Sequence, residues 1–186
     1  MYLFNAISTE IQLAQKTFTT KHTKTKKLIL GSIFACFAAI FQSAGGFFPG
    51  IGYVLSPLAT APILLYVMLS VPFGAMVFFQ AIILLFILQP TELIVFPFTT
   101  GLLGLGIGLS FYLFKSRLSI IAAGAFSLTL GISILLYILR FPILGPAFSN
   151  SFSLLTIGII FIFSFLYSWL WVEIALLIFK RLRGIY

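Results

Sequence analysis

The chain has 186 residues, of which 61% are hydrophobic and 8% charged, with a net charge of +8 and a mean hydropathy of +1.21. A soluble domain carries roughly a quarter of its residues as charges, so this composition excludes an ordinary water-soluble enzyme and implies a protein embedded in lipid. The positive charge does not imply nucleic acid, because the basic residues stand at the ends of apolar runs, where the positive-inside rule places them.

Residues 1–20 differ from the rest. Phe4, Ile7, Ile11, Ala14 and Phe18 recur at intervals of three and four, with Asn5, Ser8, Glu10, Gln12, Gln15 and Lys16 between them. This spacing predicts an amphipathic helix lying on the cytosolic membrane surface, with a tail lacking fixed structure as the alternative. Lys21, Lys24, Lys26 and Lys27, with the lone His22 among them, form a basic linker. Residues 1–27 are therefore one region, and 28–186 a transmembrane domain.

From Leu28 the apolar runs predict six spans, at about 28–47, 53–70, 72–88, 93–114, 118–140 and 153–179. Most have the roughly 17–25 residues needed to cross a bilayer, and the last is long enough to tilt. Ser43-Ala44-Gly45-Gly46 offers small residues of the kind found at a signal-peptide cleavage site, but the preceding run is long for one, and an uncleaved first helix is expected. Pro49, Gly50 and Gly52 turn the first connection, Pro72 the second, and Gln89-Pro90-Thr91 the third; Phe141 to Asn150 is the longest loop. The turn at Ser70–Pro72 is so short that 53–88 reads either as two spans or as one broken pair.

With Lys21–Lys27 inside, Lys115, Arg117, Lys180, Arg181 and Arg183 also fall inside, and Arg140 falls outside. This asymmetry predicts a multi-pass membrane protein with both termini in the cytosol.

The chain has no phosphate-cradling G-x-x-x-x-G-K-[ST] loop, no H-E-x-x-H and no G-x-S-x-G. Its acids are Glu10, Glu92 and Glu173, and its lone cysteine is Cys36. Neither an enzyme, a bound metal nor a cofactor is expected. Glu173, in the last span, is expected to snorkel or to pair with Lys180.

Small residues form two stripes. Gly31, Ala35 and Ala39 recur once per turn in the first span, a flat face that suits either a partner helix or the protein's own helices. Gly101, Gly104 and Gly108 do the same in the fourth, where packing within the bundle is expected.

Polar groups gather near the outer ends of the spans: Gln42 and Ser43, then Tyr53, Ser56 and Thr60, then Gln89, Thr91, Glu92, Thr99 and Thr100, then Arg140. Few polar groups converging in apolar walls are the general form of a small-molecule site, although interfacial solvation explains any one of them. Gln42, Tyr53, Gln89, Glu92, Thr99 and Arg140 are the candidate ligand-binding residues. Glu92 and Arg140, the outer charges, either pair with each other or hold a charged ligand.

The chain resembles the substrate-binding S components of energy-coupling factor (ECF) vitamin transporters. The resemblance rests on size, six spans, both termini inside, and an A-x-x-x-A motif in the first helix, Ala35-Cys36-Phe37-Ala38-Ala39. That motif precedes a Pro/Gly-rich outer loop, Phe48-Pro49-Gly50-Ile51-Gly52. It covers about residues 25–183. It implies a subunit that captures a vitamin or similar nutrient from outside and docks through Ala35 and Ala39 onto a transmembrane coupling protein, with two cytosolic ATPases driving delivery. The amphipathic first 20 residues are not part of that pattern. The competing class is a membrane scaffold or assembly protein whose small-residue faces bind partner helices.

Overall fold

The computed structural model describes residues 8–48, 50–141 and 154–183, with side chains throughout except at 8–14 and 182–183. They form α1 (Ser8–Lys21), α2 (Lys24–Phe47), α3 (Gly52–Leu69), α4 (Val71–Leu88), α5 (Glu92–Leu113), α6 (Arg117–Ile138) and α7 (Leu154–Arg183). Each helix from α2 to α7 is long and apolar enough to cross a membrane, and no strand occurs among the described residues. The protein is an all-α, multi-pass membrane protein.

Local chemistry sets the helix ends. Thr23 caps α2 by accepting from the Lys26 amide at 3.4 Å, and Ser116 caps α6 by accepting from the Ser119 amide at 3.2 Å. Between α3 and α4 a single extended residue, Ser70, reverses the chain, and Pro72 then fits the first turn of α4, where no N–H is needed. Residues 53–88 are therefore two full helices rather than one broken pair. The turn can be this tight because Gly74 has no side chain: a Cβ there would lie 2.5 Å from the Cα of Val67.

α3 is the hub of the bundle. Ile63, Tyr66 and Val67 on one side join Ala35, Ala38 and Ala39 of α2 and Val77, Phe78, Ala81 and Leu85 of α4. Leu64 and Met68 on the other side join Leu103 and Ile107 of α5, Ile120, Ile121 and Leu128 of α6, and Trp171 and Val172 of α7. Lipid supplies no hydrophobic drive between helices, so close van der Waals contact must hold them. The glycines of α5 serve that contact. A Cβ at Gly104 would lie 2.9 Å from the Cβ of Ile63, and one at Gly108 would lie 2.6 Å from Val67. This stripe packs inside the bundle, as expected.

The first-span stripe needs correction. Ala35 and Ala39 are 0% exposed, and Gly31 lies against Val77 and Tyr66. Gly31, Ala35 and Ala39 are spent on α3 and α4 and present no free face to a partner helix.

One end of the bundle gathers the basic residues. There Tyr66 donates its hydroxyl to the Lys27 carbonyl, and Tyr112 donates to the Met68 carbonyl at 3.2 Å. α1 is docked on this end. Its Gln15 amide donates to the same Met68 carbonyl at 3.0 Å, Phe18 is 5% exposed and meets the Tyr66 ring edge-on, and Lys27 donates to the Thr19 carbonyl at 2.9 Å. Met68 is in the last turn of α3, whose carbonyls have no partner within the helix, so Gln15 and Tyr112 satisfy a group the helix leaves open. The predicted N-terminal helix is present, but its Phe18 face meets protein rather than lipid alone. Phe4 and Ile7 of the predicted stripe, and the side chains of Ile11 and Ala14, lie outside the described residues.

Among the described ion pairs Glu173 is joined to Arg117 at 3.4 Å rather than to Lys180, linking the start of α6 to α7 near the basic end, with both side chains about a fifth exposed.

Candidate functional site

Three spans lose regular helical geometry toward the end opposite the basic residues. α3 passes through a 3-10 segment at Ser56–Ala59, α5 through another at Phe96–Phe98, and α6 widens to a π turn at Ile134–Ile138. Pro57 and Pro97 explain the first two, because proline has no N–H to give the i→i−4 ladder. Glycine lets neighbours press on these segments. A Cβ at Gly131 would lie 1.8 Å from the Phe98 carbonyl oxygen, and one at Gly52 would lie 1.9 Å from that of Ala44. Irregular backbone at membrane depth is tolerated where protein or a water-filled cavity satisfies it, and it recurs where transporters hold substrates and ions.

A polar network sits among these segments. Gln42 of α2 is 1% exposed, yet both ends of its amide are used. Its Nε2 donates to Glu92 Oε2 at 2.7 Å, and its Oε1 accepts from the Thr100 hydroxyl at 2.7 Å. The amide orientation is dictated chemically, since an ionised carboxylate has no hydrogen to give and must face the NH2 group. The bond to Glu92 is charge-assisted and so the stronger of the two. The other carboxylate oxygen, Oε1, packs beside the buried Gly45: a Cβ built there would lie 3.6 Å from Oε1 and 3.6 Å from the Ser56 Cβ.

The six predicted binding residues do not all meet. Gln42 and Glu92 are bonded directly. Gln89 lies next to them, with its side chain over Gly46 of α2 and its Nε2 donating to Thr91 at 3.1 Å. Thr99 is buried and bonds back to the Val95 carbonyl at 2.8 Å, so its hydroxyl is used within its own helix; its neighbour Thr100 enters the network instead. Tyr53 is 69% exposed. Arg140 is exposed at the end of α6 with a φ of +52°, and it forms no ion pair with Glu92. The expected outer site is thus narrower: Gln42, Glu92 and Thr100, with Gln89, Gly45 and Ser56 around them. Thr100 and Ser56 carried a polar signal in the sequence, but nothing there ranked Thr100 above Thr99. Gly45 carried none.

A shallow apolar crevice, too narrow to admit a water molecule, lies between α3 and α7, bordered by Ala61, Leu64, Leu65, Trp171, Ile174, Ala175 and Ile178. None of the network residues lines it.

No protein-family model matches the chain, and neither does any curated protein or solved structure.

Proposed function

We propose that the protein is the substrate-capture subunit of an ATP-driven, multi-subunit importer of a vitamin or similar small nutrient, in a bacterial cytoplasmic membrane. The observation that carries this reading is the Gln42–Glu92–Thr100 network, held among interrupted helices at the end opposite the basic residues. By the positive-inside rule that end faces the outside, where a nutrient is met. A buried amide fixing a carboxylate is a rigid recognition element, and it is carried on helices rather than on loops.

The chain has no nucleotide-binding loop of its own, so the energy would come from partners: a transmembrane coupling protein and a cytosolic ATPase pair. Because Ala35 and Ala39 are used internally, docking would fall to the other side of α2. There Ser32 and Cys36 are exposed one turn apart between Ile29, Ile33, Phe37 and Ile40. Ser32 bonds back to the Leu28 carbonyl at 3.1 Å and so presents a small surface without a free polar group. Two small residues one turn apart let a second helix approach closely.

The test is mild-detergent purification of the tagged chain from its own membrane, followed by native mass spectrometry. Co-purification of one further membrane protein and two ATPase subunits supports the reading. A chain that carries neither these partners nor a small molecule refutes it and favours the scaffold class.

A further inference from the structure

We infer that the lysines of α1 and of its junction with α2 bind the headgroups of anionic phospholipids in the cytosolic leaflet, so that leaflet charge helps to hold α1 on the bundle; this does not depend on the capture reading above. Lys16, Lys21, Lys24, Lys26 and Lys27 crowd into the stretch that leads into α2, and the one acid in residues 1–91 is Glu10. One of the five lysines is spent inside the protein. Lys27 is half-buried, donates to the Thr19 carbonyl at 2.9 Å, and stands 5.7 Å from the centre of the Phe18 ring and 5.8 Å from that of Phe73. It clamps α1 to the start of α2. Lys16, Lys21, Lys24 and Lys26 are exposed.

The placement of α1, rather than charge alone, selects the partner. Gln15 donates to the Met68 carbonyl in the last turn of α3, Phe18 lies edge-on against Tyr66, and the Tyr66 hydroxyl donates to the Lys27 carbonyl at the start of α2. These are the ends of two spans, where hydrocarbon gives way to headgroups, so the contacts fix α1 at headgroup depth. By the positive-inside rule this end faces the cytosol, where the leaflet surface is anionic. At about 100° per residue, Lys16 and Lys21 stand on opposite flanks of the face that Gln15 and Phe18 turn to the bundle. Lysines on the flanks of an interfacial helix reach the surrounding headgroups through their flexible stems. The side of α1 turned away from the bundle carries the uncharged Thr17 and Thr20, so an acidic soluble partner approaching from the cytosol would find no charge on that side.

The residue type fits the same target. An ammonium is a point charge that attracts phosphate without the planar fork by which arginine reads one geometry, and no arginine occurs before Arg117. Four or more such charges just cytosolic of a spanning helix are drawn to anionic lipid.

The test places the purified full chain in nanodiscs of equal parts phosphatidylcholine and phosphatidylglycerol, and reads the retained lipids by native mass spectrometry. Wild type should retain phosphatidylglycerol in preference. Lys16→Gln/Lys21→Gln, which leaves Lys24, Lys26 and Lys27 to hold the topology, should lower that preference about tenfold or more, at about fivefold per lysine. Lys16→Arg/Lys21→Arg should keep it. Lys115→Gln/Lys180→Gln, which removes equal charge from the same end but not from α1, should lower it less. Hydrogen exchange of residues 15–22 should be slower in these nanodiscs than in pure phosphatidylcholine for wild type, but not for the Lys16/Lys21 glutamine pair. Equal retention of the two lipids by wild type overturns the inference. So does a Lys115/Lys180 pair that falls as far as the α1 pair, because the preference then belongs to the whole basic end. Exchange that ignores lipid charge overturns the hold on α1, and exchange slowed in pure phosphatidylcholine by inorganic phosphate replaces the lipid with a free phosphate ligand.

Discussion

Replacing Gln42 by Leu nearly preserves side-chain volume and removes both ends of the amide. In the native protein that amide is 1% exposed and links α2 to α5 through bonds of 2.7 Å to Glu92 and 2.7 Å from Thr100. A hydrogen bond to a charged group contributes about 1.5–3 kcal/mol. An interhelical bond between neutral groups in a membrane contributes about 0.6 kcal/mol, because the alternative state also finds partners. Gln42→Leu should therefore cost about 2–4 kcal/mol, with the charged bond dominating. The assay is reversible unfolding in mixed micelles titrated with a denaturing detergent, run as a double-mutant cycle with Glu92→Ala, which removes the acceptor. Residues bonded to each other should be non-additive, with a coupling of about 1–2 kcal/mol. A Gln42→Leu protein within about 0.5 kcal/mol of wild type, or strict additivity with Glu92→Ala, would refute the network as a structural unit.

Other consequences are equally concrete. Ala39→Leu should lower thermal stability of the isolated chain, by about 1–3 kcal/mol or more, because it overpacks a fully buried face; unchanged melting with loss of partner binding alone would restore the docking role of the stripe. Glu173→Gln should leave the Arg117 guanidinium without its carboxylate and cost about 1–3 kcal/mol in the same unfolding assay, while Lys180→Gln should cost little; the reverse order would contradict the observed pairing. Phe18→Ala should loosen α1 and speed trypsin cleavage at the already exposed Lys21–Lys24 junction, whereas cleavage at the wild-type rate would show that α1 is not held by that contact.

Much of the architecture was legible because a bilayer imposes a length and an apolar composition on every span. The six predicted spans fall within a few residues of the observed helices. The glycine stripe of α5 is legible for a related reason: small residues one turn apart mean close approach. The alanine stripe of α2 has the same signature, and sequence spacing alone does not say which helix lies opposite. Burial decides that, and it places α3 and α4 there. The docking of α1 was likewise hidden, since Phe18 looks the same on lipid as against Tyr66. At the far end, polarity pointed to the right region but not to the right atoms. Thr99 and Thr100 are neighbours of identical chemistry, and the break in α5 at Phe96–Phe98 decides which hydroxyl turns toward Gln42. Arg140 shares a side of the membrane with Glu92 by sequence, but it is exposed at the end of α6 and forms no ion pair with Glu92.

Everything in the functional account rests on the Gln42–Glu92–Thr100 end facing the outside. Tyr53 is the natural reporter, being 69% exposed at that end. A Tyr53→Cys chain, built on Cys36→Ser so that it carries one thiol, should react with a membrane-impermeant maleimide in intact spheroplasts. A Lys24→Cys chain on the same background should react only after permeabilisation. Labelling of position 53 that requires permeabilisation, with position 24 open from outside, would turn the site toward the cytosol and contradict capture from the external medium.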